Sequence, residues 1–191
     1  DGVCNYCRIH DNLDRRYPTG REGERILQAM FAEVRAAGRR KKYDCIIGVS
    51  GGCDSSYLLH LARENGLRPL AVHFDNTWNS AVASQNIYKL LDKLDIDLFT
   101  YVLDSHEYVD IYRAFLAAGL PDPDVATDIA LTTTLYVAAA QHGVGYILDG
   151  HSFRTEGVSP LGVAYIDGKY IESVHSEFGR LSMKTYPNLT L

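Results

Sequence analysis

One stretch, Ile46 to Ser56, I-I-G-V-S-G-G-C-D-S-S, constrains this chain more than any other. The apolar, β-branched run Tyr43–Val49 reads as a buried parallel strand. Apolar residues at Tyr57, Leu58, Leu61 and Ala62 then follow helical spacing over 55–65, and Gly66 stops that helix. In a strand, tight turn, helix unit, a ligand sits at the carboxyl end of the strand against the helix N-terminus. Gly51 and Gly52 let the backbone turn sharply and approach a ligand without a Cβ clash. The amides of the turn and first helical turn converge on one spot where an anion is favoured, and Ser50, Ser55 and Ser56 add hydroxyl donors. The pattern therefore predicts a cradle for a pyrophosphate group. Two other nucleotide loops are absent: no Lys follows the glycines as a Walker loop needs, and no G-x-G-x-x-G is present. Asp54 would repel phosphates unless a cation stood between them, which points to Mg²⁺ bridging carboxylate and phosphate oxygens; a plain helix N-cap is its competing role.

The rest of the chain repeats the alternation. Residues 21–38 carry Ile26, Leu27, Met30, Phe31 and Val34 on one helical face, closed near Gly38. Strands are predicted at Pro69–Phe74, about Leu98–Val102 and Gly145–Asp149, with helices over about 80–94, 106–118 and 127–142. Short strands near Val163–Ile166 and Lys169–Ile171 are expected, joined by Asp167-Gly168 as a hairpin turn. The pattern predicts an α/β fold: a doubly wound, Rossmann-like parallel sheet of about five strands with helices on both faces. Residues 1–20 are polar and turn-rich, so they read as an irregular N-terminal cap, with the main domain over 21–191. The chain opens at Asp1 without Met and closes on Asn188, Leu189, Thr190 and Leu191, and further sequence is expected at both ends.

Composition excludes some classes. With 191 residues, 46% hydrophobic and 23% charged, the chain is an ordinary globular sequence of one main domain. No apolar run approaches the roughly 18 residues of a membrane helix, and a cytoplasmic protein is expected. A net charge of −5 gives nucleic acid little to hold; the one basic run, Arg39 to Lys42, reads as a solvated helix end. Of the four cysteines, Cys45 and Cys53 read as structural, while Cys4 and Cys7 form C-x-x-C. In a reducing compartment that pair is half a Zn²⁺ knuckle, with His10 as a candidate third ligand, or a redox pair.

The Ser50–Ser56 string resembles the S-G-G-x-D-S loop of the PP-loop ATP pyrophosphatases, a superfamily that includes GMP, asparagine and NAD synthetases and tRNA-modifying enzymes. The resemblance implies ATP with its β,γ-phosphates in this loop, attack of a substrate oxygen on the α-phosphate, release of pyrophosphate, and displacement of AMP by a nucleophile. It implies ATP contacts at Val49, Ser50, Gly51, Gly52, Asp54, Ser55 and Ser56. It also implies an adenosine site at the end of the second strand, His73, Phe74 and Asp75, where core packing is the alternative for His73 and Phe74. The stretch L-D-G-H-S-F-R-T-E-G, Leu148–Gly157, is similar to a G-H-N-x-x-D-E stretch of several members. There Gly150 allows close approach to the nucleotide, His151 reaches the phosphates, and Arg154 and Glu156 face the substrate.

Finer motifs, D-G-V-C-N-Y-C, V-H-F-D-N-T-W-N, P-D-P-D-V-A-T-D and T-E-G-V-S-P, are similar to N-acetyl sugar amidotransferases of bacterial surface-polysaccharide and nonulosonic-acid synthesis. That family implies a free or nucleotide-linked N-acetyl sugar as substrate and an acetamidino sugar as product. It implies Asp54 and His151 as catalytic residues and ammonia from a separate glutaminase subunit; a homo-oligomer is also compatible with it. Asp122, Asp124, Asp128, Thr132 and Thr133 either bind sugar or form a polar turn and helix cap. The alternatives are a sulfurtransferase of the tRNA-thiolating type, kept open by Cys4 and Cys7, and a non-catalytic ATP-binding module.

Overall fold

A computed structural model describes residues 2–158 and 167–190. Four parallel strands form its sheet: β1 (Cys45–Gly48), β2 (Pro69–Asp75), β3 (Leu98–Val102) and β4 (Ile147–Leu148), in the spatial order β3-β2-β1-β4. Helices α2 (Gly20–Gly38), α3 (Cys53–Glu64), α4 (Ala81–Leu94), α5 (Ser105–Ala117) and α6 (Val125–His142) make or flank the crossovers. Successive residues of β1 point to opposite faces. Cys45 and Ile47 pack with Phe31 and Val34 of α2, Leu59 and Ala62 of α3, and Ile87 and Leu91 of α4. Ile46, with Leu70 and Val72 of β2, packs instead against Leu135, Ala138 and Ala139 of α6. Both faces are thus covered by helices, which is why β1 and β2 read as continuous apolar runs.

The register places Ile46 opposite both Leu70 of β2 and Ile147 of β4. The chain winds outward from β1 through β2 to β3, then returns to pair β4 on the other side of β1. The carboxyl ends of β1 and β4 therefore flank the point where strand order reverses, the place where open α/β sheets form their ligand crevice.

The described residues hold four of the about five strands expected, and the candidate at Val163–Ile166 lies outside them. Three expectations differ from the structure. Lys169–Ile171 is not a strand but the start of α8 (Gly168–Phe178). Asp167 does not turn a hairpin; its carboxylate accepts the Tyr170 amide at 2.8 Å and caps the helix. The opening segment is not irregular either: α1 (Asn5–Arg16) is a helix capped by the Cys4 sulfur, which accepts the Cys7 amide. It has no fully buried residue and docks through its edge. Asp14 pairs with Arg154 at 2.5 Å, and the His10 ring meets Phe153 edge-on at 5.3 Å.

Candidate functional site

Glycine geometry fixes the turn after β1. Gly51 has φ +81, and a Cβ there would lie 2.5 Å from the Ala83 carbonyl oxygen at the start of α4. Only glycine meets both demands. Gly52 then serves as the N-cap of α3 and supplies no side-chain cap, so the amides of the first turn of α3 stay open to a ligand. The Asp54 alternative as N-cap is thereby removed: Asp54 lies inside the first turn, where a carboxylate also suits the helix dipole.

These residues border a cleft of about 210 Å³ lined by Gly48, Val49, Ser50, Asp54 and Ser55 on one side and by Asp149, Gly150, His151 and Glu156 on the other. Leu131 and Leu135 of α6 form its floor. Asp54 makes no hydrogen bond or ion pair among the described residues. The Ser55 hydroxyl oxygen is buried and has no partner there. A buried orphan hydroxyl costs about 1–3 kcal/mol, a cost that a bound anion would relieve. The cleft therefore suits a phosphate, and the Asp54 and Asp149 carboxylates at its rim are the hard oxygen ligands that Mg²⁺ takes.

His151 is wedged between carboxylates. Its Nδ1 lies 2.7 Å from Glu156 Oε2, and its Nε2 lies 3.5 Å from Asp149 Oδ2. The Glu156 hydrogen bond, reinforced by the charges of Asp149 and Asp128, raises its pKa above the usual imidazole value. The same contact lowers that of Glu156. Glu156 also accepts the Ser152 amide, which orients it. The cleft thus carries an imidazole whose charged form is favoured by its carboxylate neighbours. Gly150 comes close to the other wall: a Cβ there would meet the Asp54 carbonyl at 3.4 Å.

Other expected site residues are placed differently. Ser56 turns away, its hydroxyl donating to the Gly52 carbonyl at 2.6 Å along the helix. His73 and Phe74 are 7% and 6% exposed, so their side chains belong to the interior. The His73 Nδ1 lies 2.9 Å from the Val49 carbonyl, which fixes the backbone just before Ser50; His73 acts on the loop through Val49. Asp75 is used locally, accepting the Thr77 amide at 2.8 Å and the Asn79 amide group at 3.3 Å. Arg154 does not face the cleft; it donates to the Tyr17 carbonyl and pairs with Asp14, tying α1 to α7 (Phe153–Glu156).

Thr133 is buried and bonds the Ile129 carbonyl within α6. The Asp124 carboxylate accepts the Thr127 hydroxyl and Asp122 accepts the Asp124 amide, the polar-turn alternative. Burial, then the charges of Asp124 and Asp122, raise the Asp128 pKa. The sulfurs of Cys4 and Cys7 lie 3.3 Å apart. His10 turns to Asp14, and no three His, Cys, Asp or Glu side chains gather as a metal site among the described residues. Two thiols are half the ligand set of a structural zinc. Sequence reasoning missed Leu131 and Leu135, whose α6 positions look like ordinary helix core, and Asp149 as a rim carboxylate.

No family model matches the chain, but curated relatives do. The chain is 32% identical over 125 residues to the tRNA-specific 2-thiouridylase MnmA of Colwellia psychrerythraea, covering 58% of this chain and 33% of that protein. Against the same-named protein of Proteus mirabilis it is 30% identical over 123 residues, covering 57% and 34%. Over those residues the chain is similar to the 2-thiouridylases. It spans about a third of the length of the curated relatives it matches. A glutamine-dependent NAD⁺ synthetase from Acinetobacter baumannii, solved with adenosine diphosphate, superposes with a TM-score of 0.50 at 16% identity, over 65% of this chain and 25% of that one. That likeness bears out the α/β fold. No helix among the described residues is long and apolar enough to cross a membrane.

Proposed function

We propose that this chain is the ATP-activating part of an enzyme that cleaves ATP between its α- and β-phosphates and transfers the adenylyl group to an acceptor oxygen. The observation that carries the reading is the unpartnered pair Asp54 and Ser55, facing the same cleft as His151 at the switch point of the sheet. Amides of the Ser50–Ser55 turn hold the β,γ-phosphates. The His151 ring, held by Glu156, meets the charge that grows on departing pyrophosphate, and its protonated form serves that role. Asp54 and Asp149 would hold Mg²⁺, whose charge neutralises the phosphates when it is bound.

The acceptor in this reading is the amide oxygen of an N-acetyl sugar, free or nucleotide-linked. The oxygen attacks the α-phosphorus and pyrophosphate leaves. Ammonia from a glutaminase subunit then adds to the activated carbon, and AMP departs with the former amide oxygen to leave an acetamidino group. No cysteine lines the cleft among the described residues, and its rim carries Asp54, Asp149 and Glu156, which suits an imported neutral nucleophile.

A second reading, sulfur transfer to tRNA, is favoured by the similarity to the 2-thiouridylases and by the exposed Cys4–Cys7 pair. One experiment separates them. Full-length protein with ATP and Mg²⁺ receives ammonium and N-acetyl sugars in one arm, and tRNA with a sulfur donor in the other. AMP and pyrophosphate formed only with sugar and ammonium support the first reading; formation only with tRNA and sulfur replaces it by the second. ATP binding without pyrophosphate in either arm would leave a non-catalytic module.

A further inference from the structure

We propose that Trp78 is the stacking platform for the acceptor, and that the acceptor ring it receives is a neutral, hydroxyl-rich pyranose. This rests on the adenylating reading above and adds where the second substrate sits.

Trp78 is the only tryptophan of the chain and is 49% exposed, on the turn that follows the carboxyl end of β2. A single exposed aromatic is unremarkable in itself. This one is held in a fixed orientation. Its ring meets Tyr108 edge-to-face at 4.8 Å and 70°, and Tyr112 at 5.0 Å and 71°, the arrangement that aromatic quadrupoles favour. The turn beneath it is equally specified. Asn76 Oδ1 accepts the Trp78 amide at 3.1 Å, and Asp75 Oδ1 accepts the Thr77 amide and the Asn79 side chain. Thr77 sits at φ +66, a region that costs a β-branched residue about 1–3 kcal/mol to enter. Burying the indole would be the more favourable outcome for stability alone. Instead a strained turn and two tyrosines hold the indole half exposed to solvent.

The platform adjoins the ATP loop. Asn79 Nδ2 lies 3.4 Å from His73 Nε2, and the other nitrogen of that imidazole holds the Val49 carbonyl. Four residues past Asn79, the Ala83 backbone packs on Gly51. A ligand lying on Trp78 therefore sits beside the loop that the α-phosphate approaches.

Its surroundings decide the kind of ring. Asn76 Nδ2 reaches the Tyr108 hydroxyl at 3.4 Å, the Tyr108 hydroxyl bonds that of Thr127, and Thr127 bonds Asp124. An apolar face bordered by an amide, hydroxyls and carboxylates matches a sugar, which presents C–H groups on one face and hydroxyls around its edge. Nucleic-acid bases also stack on aromatics, but their phosphates would meet the Asp122, Asp124 and Asp128 group instead of cations.

The difference in tryptophan emission between the full-length protein and its Trp78→Phe variant reads this ring directly. The titrants are N-acetylglucosamine, its UDP conjugate, UDP alone and bulk tRNA. We expect a saturable emission change with the two sugars and none with UDP alone. In pyrophosphate release, Trp78→Ala should raise the KM for the sugar at least tenfold and leave the KM for ATP within twofold, and Trp78→Phe should restore most of the loss. Unchanged emission at sugar concentrations that saturate turnover, or a change caused by tRNA and not by sugar, overturns the platform and leaves the adenylating reading standing. Where no acceptor supports turnover, that reading fails, while emission still decides the platform: a saturable response to sugar supports it and silence overturns it.

Discussion

Replacing Gly51 by alanine tests whether the turn after β1 is a cradle that only glycine can build. The backbone is at φ +81, a left-handed conformation that costs an L-residue about 1–2 kcal/mol. The new methyl would also stand 2.5 Å from the Ala83 oxygen, 0.9 Å short of the 3.4 Å at which ordinary contact begins, and 3.0 Å from the Ala83 carbonyl carbon and Cα. All three are backbone atoms at the first turn of α4, so no side chain can swing aside. Gly143 is the control: it has φ +63, and a methyl there would meet nothing within 4 Å. Gly143→Ala should carry the conformational cost alone, lowering Tm by about 2–8 °C for a chain of this size, with ATP affinity unchanged. Gly51→Ala should lose at least as much stability. In addition it should weaken ATP binding tenfold or more, because losing about 1.4 kcal/mol of contact with the aligned amides is already a factor of ten. Scanning calorimetry and titration calorimetry with Mg²⁺ and ATP read the two quantities separately. Equal effects of the two substitutions on ATP affinity would refute the argument that Gly51 shapes the binding loop.

Other consequences can be measured alongside. Asp54→Ala should cut pyrophosphate release by on the order of 10²-fold or more with the fold intact by circular dichroism; unchanged turnover would remove Asp54 from the site. The raised pKa of His151 keeps the imidazolium to higher pH than a free imidazole would, so turnover that uses it should decline as pH rises through that raised value. Glu156→Gln removes the main cause and should move the decline to lower pH, and an unmoved profile would sink the role given to His151. Glu107, 5% exposed, accepts the amides of Lys184, Thr185 and Tyr186 at 2.7 to 3.0 Å and anchors the segment after α8 on α5. Glu107→Ala should cost about 3 kcal/mol in urea unfolding by leaving those donors unpaired, and a loss below about 1 kcal/mol would mean that water replaces the carboxylate.

The sheet and the loop were legible because each rests on a local rule. Buried parallel strands show as apolar runs, as at Cys45–Gly48 and Pro69–Asp75, and a glycine pair between strand and helix has few other uses. What failed depended on partners that a linear pattern does not reveal. Asp167-Gly168 satisfies both a hairpin turn and a helix N-cap, and the packing of Ile171 and Val174 against Tyr108, Ile111 and Phe115 selects the helix. In α1 the half-buried Ile9, His10, Leu13 and Asp14 face α7 and its surroundings, a spacing that was readable but diluted by charge. Arg154 could not be assigned without knowing that Asp14 stands opposite it. His73 carries the same lesson: its position beside the loop followed from the strand order, but only the fold turns its ring inward to the Val49 carbonyl.

The central claim is cleavage between the α- and β-phosphates, and phosphorus NMR of the products from full-length protein, ATP, Mg²⁺, ammonium and an N-acetyl sugar tests it most directly. AMP and pyrophosphate in equal amounts are the predicted outcome. ADP and inorganic phosphate would contradict it, since they require attack at the γ-phosphorus that this loop is read as holding away from the acceptor.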